Sequence, residues 1–226
     1  MLLAQNLVIG YKGSQPLTPP LNLQAGTSQC IALVGQNGSG KTTLLRTLCG
    51  LQKPISGQIS WNGKPLAALR PKQLARHVSI VFTKRPDTFL MRTEEVVALG
   101  RLPHHHFLKP TTDTDRTAIS QAITLCRIAH LKDRQFSALS DGQQQRVLLA
   151  RAIATQTPVI LLDEPTAFLD TVATDEILNL LQDLSRRQKK LIIFTTHHPT
   201  AALQADTIWT LSSNGINIQS TSTQSL

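Results

Sequence analysis

The sequence predicts an α/β fold with a mainly parallel sheet and a block of helix set into it, and three observations carry that expectation. Short apolar runs that read as buried strands alternate with helical patterns along most of the chain. One such run, Cys30-Ile31-Ala32-Leu33-Val34, passes through a glycine-rich turn straight into the helical stretch Thr42 to Leu48. From about Thr93 to Ala154 the pattern is helical throughout, which reads as a helical segment inserted between strands.

In chain order, residues 2 to 9 alternate loosely and read as an edge strand ending at Gly10-Tyr11. Tyr11, the only tyrosine, either packs at the strand end or offers its ring to a flat heterocycle. Pro16, Pro19 and Pro20 mark a turn-rich crossing before the run at Cys30. Gly50 ends the helix that follows, and Ile55 to Gly63 reads as a strand closed by an Asn-Gly turn. Val78 to Phe82 is the next apolar strand. Ile119, Ala122, Ile123 and Cys126, then Val147, Ala150, Arg151 and Ala154, recur at helical spacing. Val159 to Leu162 returns to a buried strand, and Ile177, Leu180, Leu181 and Leu184 line one face of the next helix. Leu191 to Thr195 and Ile208 to Leu211 read as the last strands, with a polar tail after Ser212 expected to be partly mobile. No internal repeat is visible.

The 226 residues suffice for one large domain with a real core. A 41% hydrophobic and 16% charged content is that of a soluble globular chain, and no apolar run approaches the roughly 18 residues needed to cross a bilayer. The N-terminus lacks the charged start and apolar core of a secretory signal, so a cytosolic chain is expected. Cys30, Cys49 and Cys126 form no C-x-x-C pair, which fits buried thiols rather than disulfides or zinc ligands. A formal charge of +9 suits nucleic acid, an anionic membrane surface or a polyanionic nucleotide. Arg186-Arg187 and Lys189-Lys190 read as a solvated cluster that complements a helix C-terminus.

Chemistry concentrates in three places. Gly35-Gln36-Asn37-Gly38-Ser39-Gly40-Lys41-Thr42 fits the G-x-x-x-x-G-K-[ST] phosphate loop at every fixed position. Its glycines let successive N–H groups point at phosphate oxygens, Lys41 reaches the β- and γ-phosphates, and Thr42 offers its hydroxyl to Mg²⁺. Gly35, Asn37, Gly38, Ser39, Gly40, Lys41, Thr42 and Thr43 are the expected nucleotide-binding set. Asp163-Glu164 follows a buried strand, at the end that faces ligand in open α/β sheets. Asp163 is expected to serve Mg²⁺ and Glu164 to polarise an attacking water. Third, Leu139-Ser140-Asp141-Gly142-Gln143-Gln144-Gln145-Arg146 puts a hydroxyl and a glycine N–H at a helix start, which is an N-cap and also an anion site.

This last segment resembles the L-S-G-G-Q signature of ATP-binding-cassette ATPases. The likeness extends to the aromatic Tyr11, the phosphate loop, the Asp-Glu pair, Leu169-Asp170 and Thr196-His197, and so runs over nearly the whole chain. It implies a P-loop NTPase core with a mainly parallel sheet, an N-terminal antiparallel β part, and an inserted helical subdomain at about residues 84–156 that carries the signature. It further implies ATP and Mg²⁺ as ligands and a head-to-tail homodimer with two ATP molecules between the phosphate loop of one copy and the signature of the other. Tyr11 would stack on adenine. Ser140 and Gly142 would meet the γ-phosphate in trans, Gln143 would belong to the same nucleotide-binding set, Asp170 would sit at the dimer contact, and His197 would bond the γ-phosphate. His198 stands where the family commonly has Asp, so His197 is the catalytic candidate alongside Glu164 and Lys41.

Two positions depart from the pattern. Asp141 replaces the first signature glycine and leaves Ser140 and Gly142 in place. Thr83 aligns with the glutamine that binds Mg²⁺ and senses the membrane partner, and it becomes the third metal candidate with Thr42 and Asp163. A narrower resemblance lies in Val97-Ala98-Leu99-Gly100-Arg101-Leu102-Pro103-His104, which is similar to the ATPases of importers for iron–siderophore, haem and vitamin B12. The implied partners are integral membrane permease subunits, a second copy of the chain and, indirectly, an extracytoplasmic substrate-binding protein. Nucleic acid is not an expected partner. The implied location is peripheral, on the cytoplasmic face of the inner membrane. A non-transport ATPase of the same class, acting on ribosomes, nucleic acid or a scaffold, is the alternative, disfavoured by the single bare cassette. His104-His105-His106 reads as a solvated loop cluster more readily than as a metal site, since no acid or Cys sits at ligand spacing.

Overall fold

The computed structural model describes residues 1–83, 90–104, 112–167 and 169–221. The chain begins with β1 (Leu2–Val8), β2 (Leu21–Ala25) and β3 (Gln29–Val34), then α1 (Lys41–Leu48), β4 (Ser56–Trp61) and β5 (Lys64–Pro65). The short α2 (Pro71–Leu74) precedes β6 (Val78–Val81), and three helices follow, α3 (Thr93–Ala98), α4 (Asp113–Leu125) and α5 (Asp141–Ala154). The remainder is β7 (Val159–Leu162), α6 (Thr171–Gln188), β8 (Leu191–Thr195), α7 (Pro199–Leu203), β9 (Thr207–Ser212) and β10 (Gly215–Ser220).

Two sheets form. The first is antiparallel in the order β2-β1-β4-β5, and the second runs β10-β9-β3-β8-β7-β6, parallel except for the β9–β10 pair. Period-two alternation in the parallel strands divides the interior in two. Ile160, Leu162, Ile192 and Phe194 face a core shared with α3 to α6. Val159, Leu161, Leu191 and Ile193 face a second core, which α1 and the antiparallel sheet complete through Leu44, Leu45, Leu48, Leu2, Leu23 and Trp61. Burial on both faces explains why these strands read as unbroken apolar runs. The buried Trp61 indole donates to the Leu48 carbonyl at 3.1 Å and so ties the antiparallel sheet to α1.

The phosphate-loop strand, the Asn62-Gly63 turn and the helical stretch between β6 and β7 stand where the sequence puts them; Asn62 and Gly63 take φ of 49° and 75°. Three expectations are corrected. Residues 2–8 are no edge strand: β1 lies between β2 and β4, and its loose alternation reflects a bulge between Ala4 and Leu7. The proline-rich crossing contains β2, whose alternation of buried and exposed residues, Leu21 to Ala25, is too short to stand out. The polar tail carries β10, which pairs along the whole of β9. Lys190 also leaves the expected solvated cluster: it is buried and donates to the Thr157 carbonyl at 2.6 Å, and burial lowers its pKa. The three cysteines are buried and free, and burial pushes the Cys126 thiol up to about 12.

The helices between β6 and β7 are fastened by the run at Gly100. A Cβ on Gly100 would collide with the Arg151 carbonyl of α5, so glycine is needed there for close approach. Arg101 is buried, donates to Asp115 Oδ1 at 2.8 Å and to the Ala154 carbonyl at 2.7 Å, and reaches Gln156 Oε1 at 3.0 Å. The Thr112 hydroxyl, donating at 2.6 Å, is the first cause and Arg101 a further one of an Asp115 pKa held well below the usual carboxylate range. His104 Nε2 lies 2.8 Å from the Thr155 carbonyl, so its ring is engaged in packing. His105 and His106 lie outside the described residues.

Candidate functional site

Strands β3, β6, β7 and β8 run parallel, so their carboxyl ends open on one edge of the sheet and gather distant residues there. From β3 comes the phosphate loop. Gly38 and Gly40 take φ of 81° and 98°, which puts consecutive backbone N–H groups on the inside of the curve, and Gly40 caps α1. A Cβ on Gly35 would lie 2.7 Å from Ser39 Oγ and against the Leu211 carbonyl. Lys41 Nζ donates to the carbonyls of Gly35 at 2.8 Å and Gln36 at 3.1 Å. No carboxylate pairs with it among the described residues. Ser39 Oγ is buried with no hydrogen-bond partner among the described residues. A cation without an anion, an orphaned hydroxyl and the N-terminus of α1 together form an anion cradle.

The oxygen donors stand beside it. Thr42 Oγ1 donates to both carboxylate oxygens of Asp163, at 3.0 and 2.9 Å. A hydroxyl and a carboxylate are hard ligands of the kind Mg²⁺ takes. Among the described residues no group of three His, Cys, Asp or Glu could hold a metal by itself, so an ion here would draw its other ligands from phosphate or water. The donor set therefore fits Mg²⁺ carried with a nucleotide. Thr83, at the end of β6, donates its hydroxyl to the Asp163 main-chain carbonyl at 2.9 Å, which leaves its oxygen lone pairs as acceptors.

Glu164 follows in the left-handed region, φ 50°, and its carboxylate is partly exposed. His197 Nδ1 lies 3.5 Å from Glu164 Oε1, and the His198 ring packs beside it, 4.1 Å between centroids. Tyr11 is exposed, with its hydroxyl 3.3 Å from Thr43 Oγ1, so its ring flanks the start of α1. Thus Tyr11, residues 35–43, Thr83, Asp163, Glu164 and His197 are brought to one edge.

Ser140, Gly142, Gln143 and Asp170 form a second group. Ser140 Oγ accepts the Gln143 N–H at 3.4 Å while Gln143 Oε1 accepts the Ser140 N–H at 3.1 Å, a reciprocal cap on α5. Asp170 caps α6 by accepting the Ala173 N–H at 2.7 Å. The two helix starts touch, since a Cβ on Gly142 would sit 2.9 Å from Leu169 Cδ2. Further along, Arg146 of the signature helix pairs with Glu176 of α6. Ser140 and Asp170 are exposed.

One functional candidate was missed in the sequence. Thr195 Oγ1 donates to Asp163 Oδ1 at 2.9 Å and accepts the Glu164 N–H at 2.8 Å. The signal was present: a hydroxyl closing an otherwise apolar strand, immediately before Thr196-His197.

Comparison with known proteins follows the same lines. The profile of the family described as ABC transporter matches residues 19–167. An uncharacterised ABC transporter ATP-binding protein of Methanocaldococcus jannaschii is 34% identical over 204 residues, covering 90% of this chain and 70% of that protein. The achromobactin transport ATP-binding protein of Dickeya dadantii is 35% identical over 195 residues, 86% of this chain and 72% of that one. For the molybdate import ATP-binding protein of Haemophilus influenzae the figures are 36% over 199 residues, 88% and 73%. Among solved structures, an inward-facing transporter assigned to the metal-chelate ABC type matches with TM-score 0.84 and 31% identity over 98% of this chain and 83% of that chain. A bacterial ABC transporter cassette solved as a dimer matches with TM-score 0.87 and 25% identity, over 98% and 99%.

Proposed function

The chain belongs to the ABC transporter family as an ATP-hydrolysing cassette, and from that premise we propose that it is the nucleotide-binding subunit of an importer for a metal chelate of the iron–siderophore, haem or cobalamin kind. The observation that carries the enzymatic part is the hydrogen-bonded series Thr42–Asp163–Thr195–Glu164 beside the phosphate loop. The chelate class rests on the run Val97 to His104 and on the likeness to the metal-chelate type transporter.

In this reading Lys41 exchanges its two carbonyl partners for the phosphates, and the N–H groups of residues 35–43 hold the remaining oxygens. Thr42 and Asp163 would hold Mg²⁺, which would supply charge neutralisation at the phosphate oxygens. Thr83 secures the main chain of Asp163, and its hydroxyl oxygen would be an acceptor available to the same ion or its water. Glu164 accepts a hydrogen bond from the attacking water and takes its proton as the new oxygen–phosphorus bond forms and the bond from the γ-phosphorus to the bridging oxygen breaks, with ADP as the leaving group. His197 orients that water and donates to the γ-phosphate, and Tyr11 stacks on adenine. The exposed helix starts at Ser140, Gly142, Gln143 and Asp170 serve the site of a second copy, so each ATP is closed between two chains. The helical subdomain that contains α3, α4 and α5 carries this signature. Among the described residues no helix is long and apolar enough to cross a membrane. The proposed place at the inner face of the membrane, on separate permease subunits, is supported by the likeness to transport and import ATP-binding proteins.

The test has two arms. Glu164→Gln keeps the shape of the site and removes the base, so it should bind ATP, lose most turnover and accumulate as an ATP-bound dimer; turnover at the wild-type rate would remove Glu164 from its role. Tagged wild-type chain purified from detergent extract should bring an integral membrane partner whose proteoliposomes take up a metal chelate when ATP is supplied. Recovery with ribosomes or nucleic acid instead would favour the non-transport alternative.

A further inference from the structure

We infer that Thr195 is a positioning residue for ATP hydrolysis, its one buried hydroxyl joining the metal-binding acid to the main chain of the general base. The inference rests on the roles proposed above for Asp163 and Glu164. Thr195 closes β8 after Leu191, Ile192, Ile193 and Phe194, and it is 0% exposed. A valine would satisfy the strand and the packing equally well, while a hydroxyl there is costly unless its hydrogen-bonding capacity is used.

Both capacities are used, and both on the site. The oxygen accepts the Glu164 N–H at 2.8 Å and donates its own proton to Asp163 Oδ1 at 2.9 Å. Strands β7 and β8 are parallel with Leu162 opposite Phe194, so the residue after Phe194 faces the step from Asp163 to Glu164. A single oxygen thereby orders the side chain of one residue and the backbone of the next.

The two residues depend on it unequally. Asp163 has other restraints: its N–H donates to the Val81 carbonyl at 2.8 Å, its own carbonyl accepts from Thr83, and its carboxylate accepts from Thr42. At Glu164 the backbone takes φ 50°, where a residue with a Cβ is strained and persists only if its surroundings fix it. The hydrogen bond from the Glu164 amide to Thr195 supplies that restraint. The Glu164 carbonyl also accepts the Ala167 N–H at 3.1 Å, so loss of the Thr195 hydroxyl releases the amide side of the residue, and the carboxylate shifts away from the water it must meet. Loss of the hydroxyl therefore acts on the chemical step more than on nucleotide affinity, because the phosphate loop does not touch Thr195 through any hydrogen bond among the described residues.

Thr195→Val keeps the β-branched shape and removes the hydroxyl; Thr195→Ser keeps the hydroxyl. Two readouts are needed, amide hydrogen exchange at Glu164 in the nucleotide-free, metal-free chain, and steady-state ATPase kinetics. In Thr195→Val the Glu164 amide should exchange at least about ten-fold faster, and kcat should fall roughly ten- to a hundred-fold with KM for ATP within about two-fold. Thr195→Ser should resemble wild type in both. Wild-type exchange and kcat in the valine variant, or a serine variant as impaired as the valine one, would overturn the inference. Thr195→Ala is read by the same criteria, so misfolding of one variant does not remove the test. Glu164→Gln measured alongside separates the two claims: if it is inactive while Thr195→Val is fully active, only the role of Thr195 falls, and if it turns over normally, the assignment of the base falls first.

Discussion

Removing the Arg101 guanidinium should destabilise this protein as much as a substitution in the apolar core, although no ligand-binding group is touched. Arg101 and Asp115 are 4% and 3% exposed, and the guanidinium spans the Asp115 carboxylate, the Ala154 carbonyl and Gln156. Arg101→Met keeps the aliphatic stem and takes away the cation that neutralises a buried carboxylate. Breaking a buried pair from one side costs about 3–5 kcal/mol, because the carboxylate loses the guanidinium that balances its charge. Arg101→Met/Asp115→Leu removes both charges and should be less destabilised than Arg101→Met alone, despite losing the cap on Thr112 and the start of α4, worth about 1 kcal/mol. Urea unfolding followed by far-ultraviolet circular dichroism measures the cycle. An Arg101→Met penalty below about 1 kcal/mol, or costs that simply add, would refute the argument, since such values belong to exposed pairs. Acidity supplies an independent check. The folded-state pKa of Asp115 is depressed, by the Thr112 hydroxyl first and Arg101 after it, so the stability it contributes is present above the ordinary carboxylate value of about 3.9 and is lost as pH falls through the folded-state value. The stability gap between wild type and Asp115→Asn should therefore be constant above about pH 5 and narrow below about pH 4.

Lys41→Ala should abolish tight ATP binding, since the phosphates lose their point charge; unchanged affinity by calorimetry would contradict this. Ser140→Arg introduced into the Glu164→Gln background should abolish ATP-dependent dimerisation measured by light scattering, because bulk and a long side chain enter the exposed start of α5; normal dimerisation would rule out closure in trans. Thr83→Ala removes the hydrogen bond to the Asp163 carbonyl and should lower turnover a few-fold, corresponding to about 1 kcal/mol of barrier. Thr83→Gln should be tolerated with a shifted Mg²⁺ dependence, and identical Mg²⁺ titrations of wild type and both variants would leave Thr83 with no role at the metal.

Much of the site was legible because its parts are contiguous. The curl of Gly35 to Thr42, the acids after Val159 to Leu162 and the cap at Ser140 each need only a few neighbouring residues to specify their geometry. The run Val97 to His104 was legible as a resemblance, yet its physical content was not. Gly100 meets the Arg151 carbonyl, Arg101 meets Asp115, and His104 meets Thr155, and all three partners lie elsewhere in the chain.

By itself the sequence determined the α/β class, the alternation of strands and helices, and where the candidate phosphate loop and acidic pair lie, since apolar periodicity and local turn chemistry act over a few residues. Only the tertiary structure decided that β1 is an inner strand, that the polar tail supplies β10, and that Lys190 is buried. Those outcomes depend on which neighbour covers a strand's open hydrogen-bonding edge or a side chain's charge. Thr195 shows the same division at the site. A threonine ending a strand is unremarkable in sequence, and it acquires its role from parallel pairing with β7, which brings its hydroxyl to residues 31 and 32 positions away.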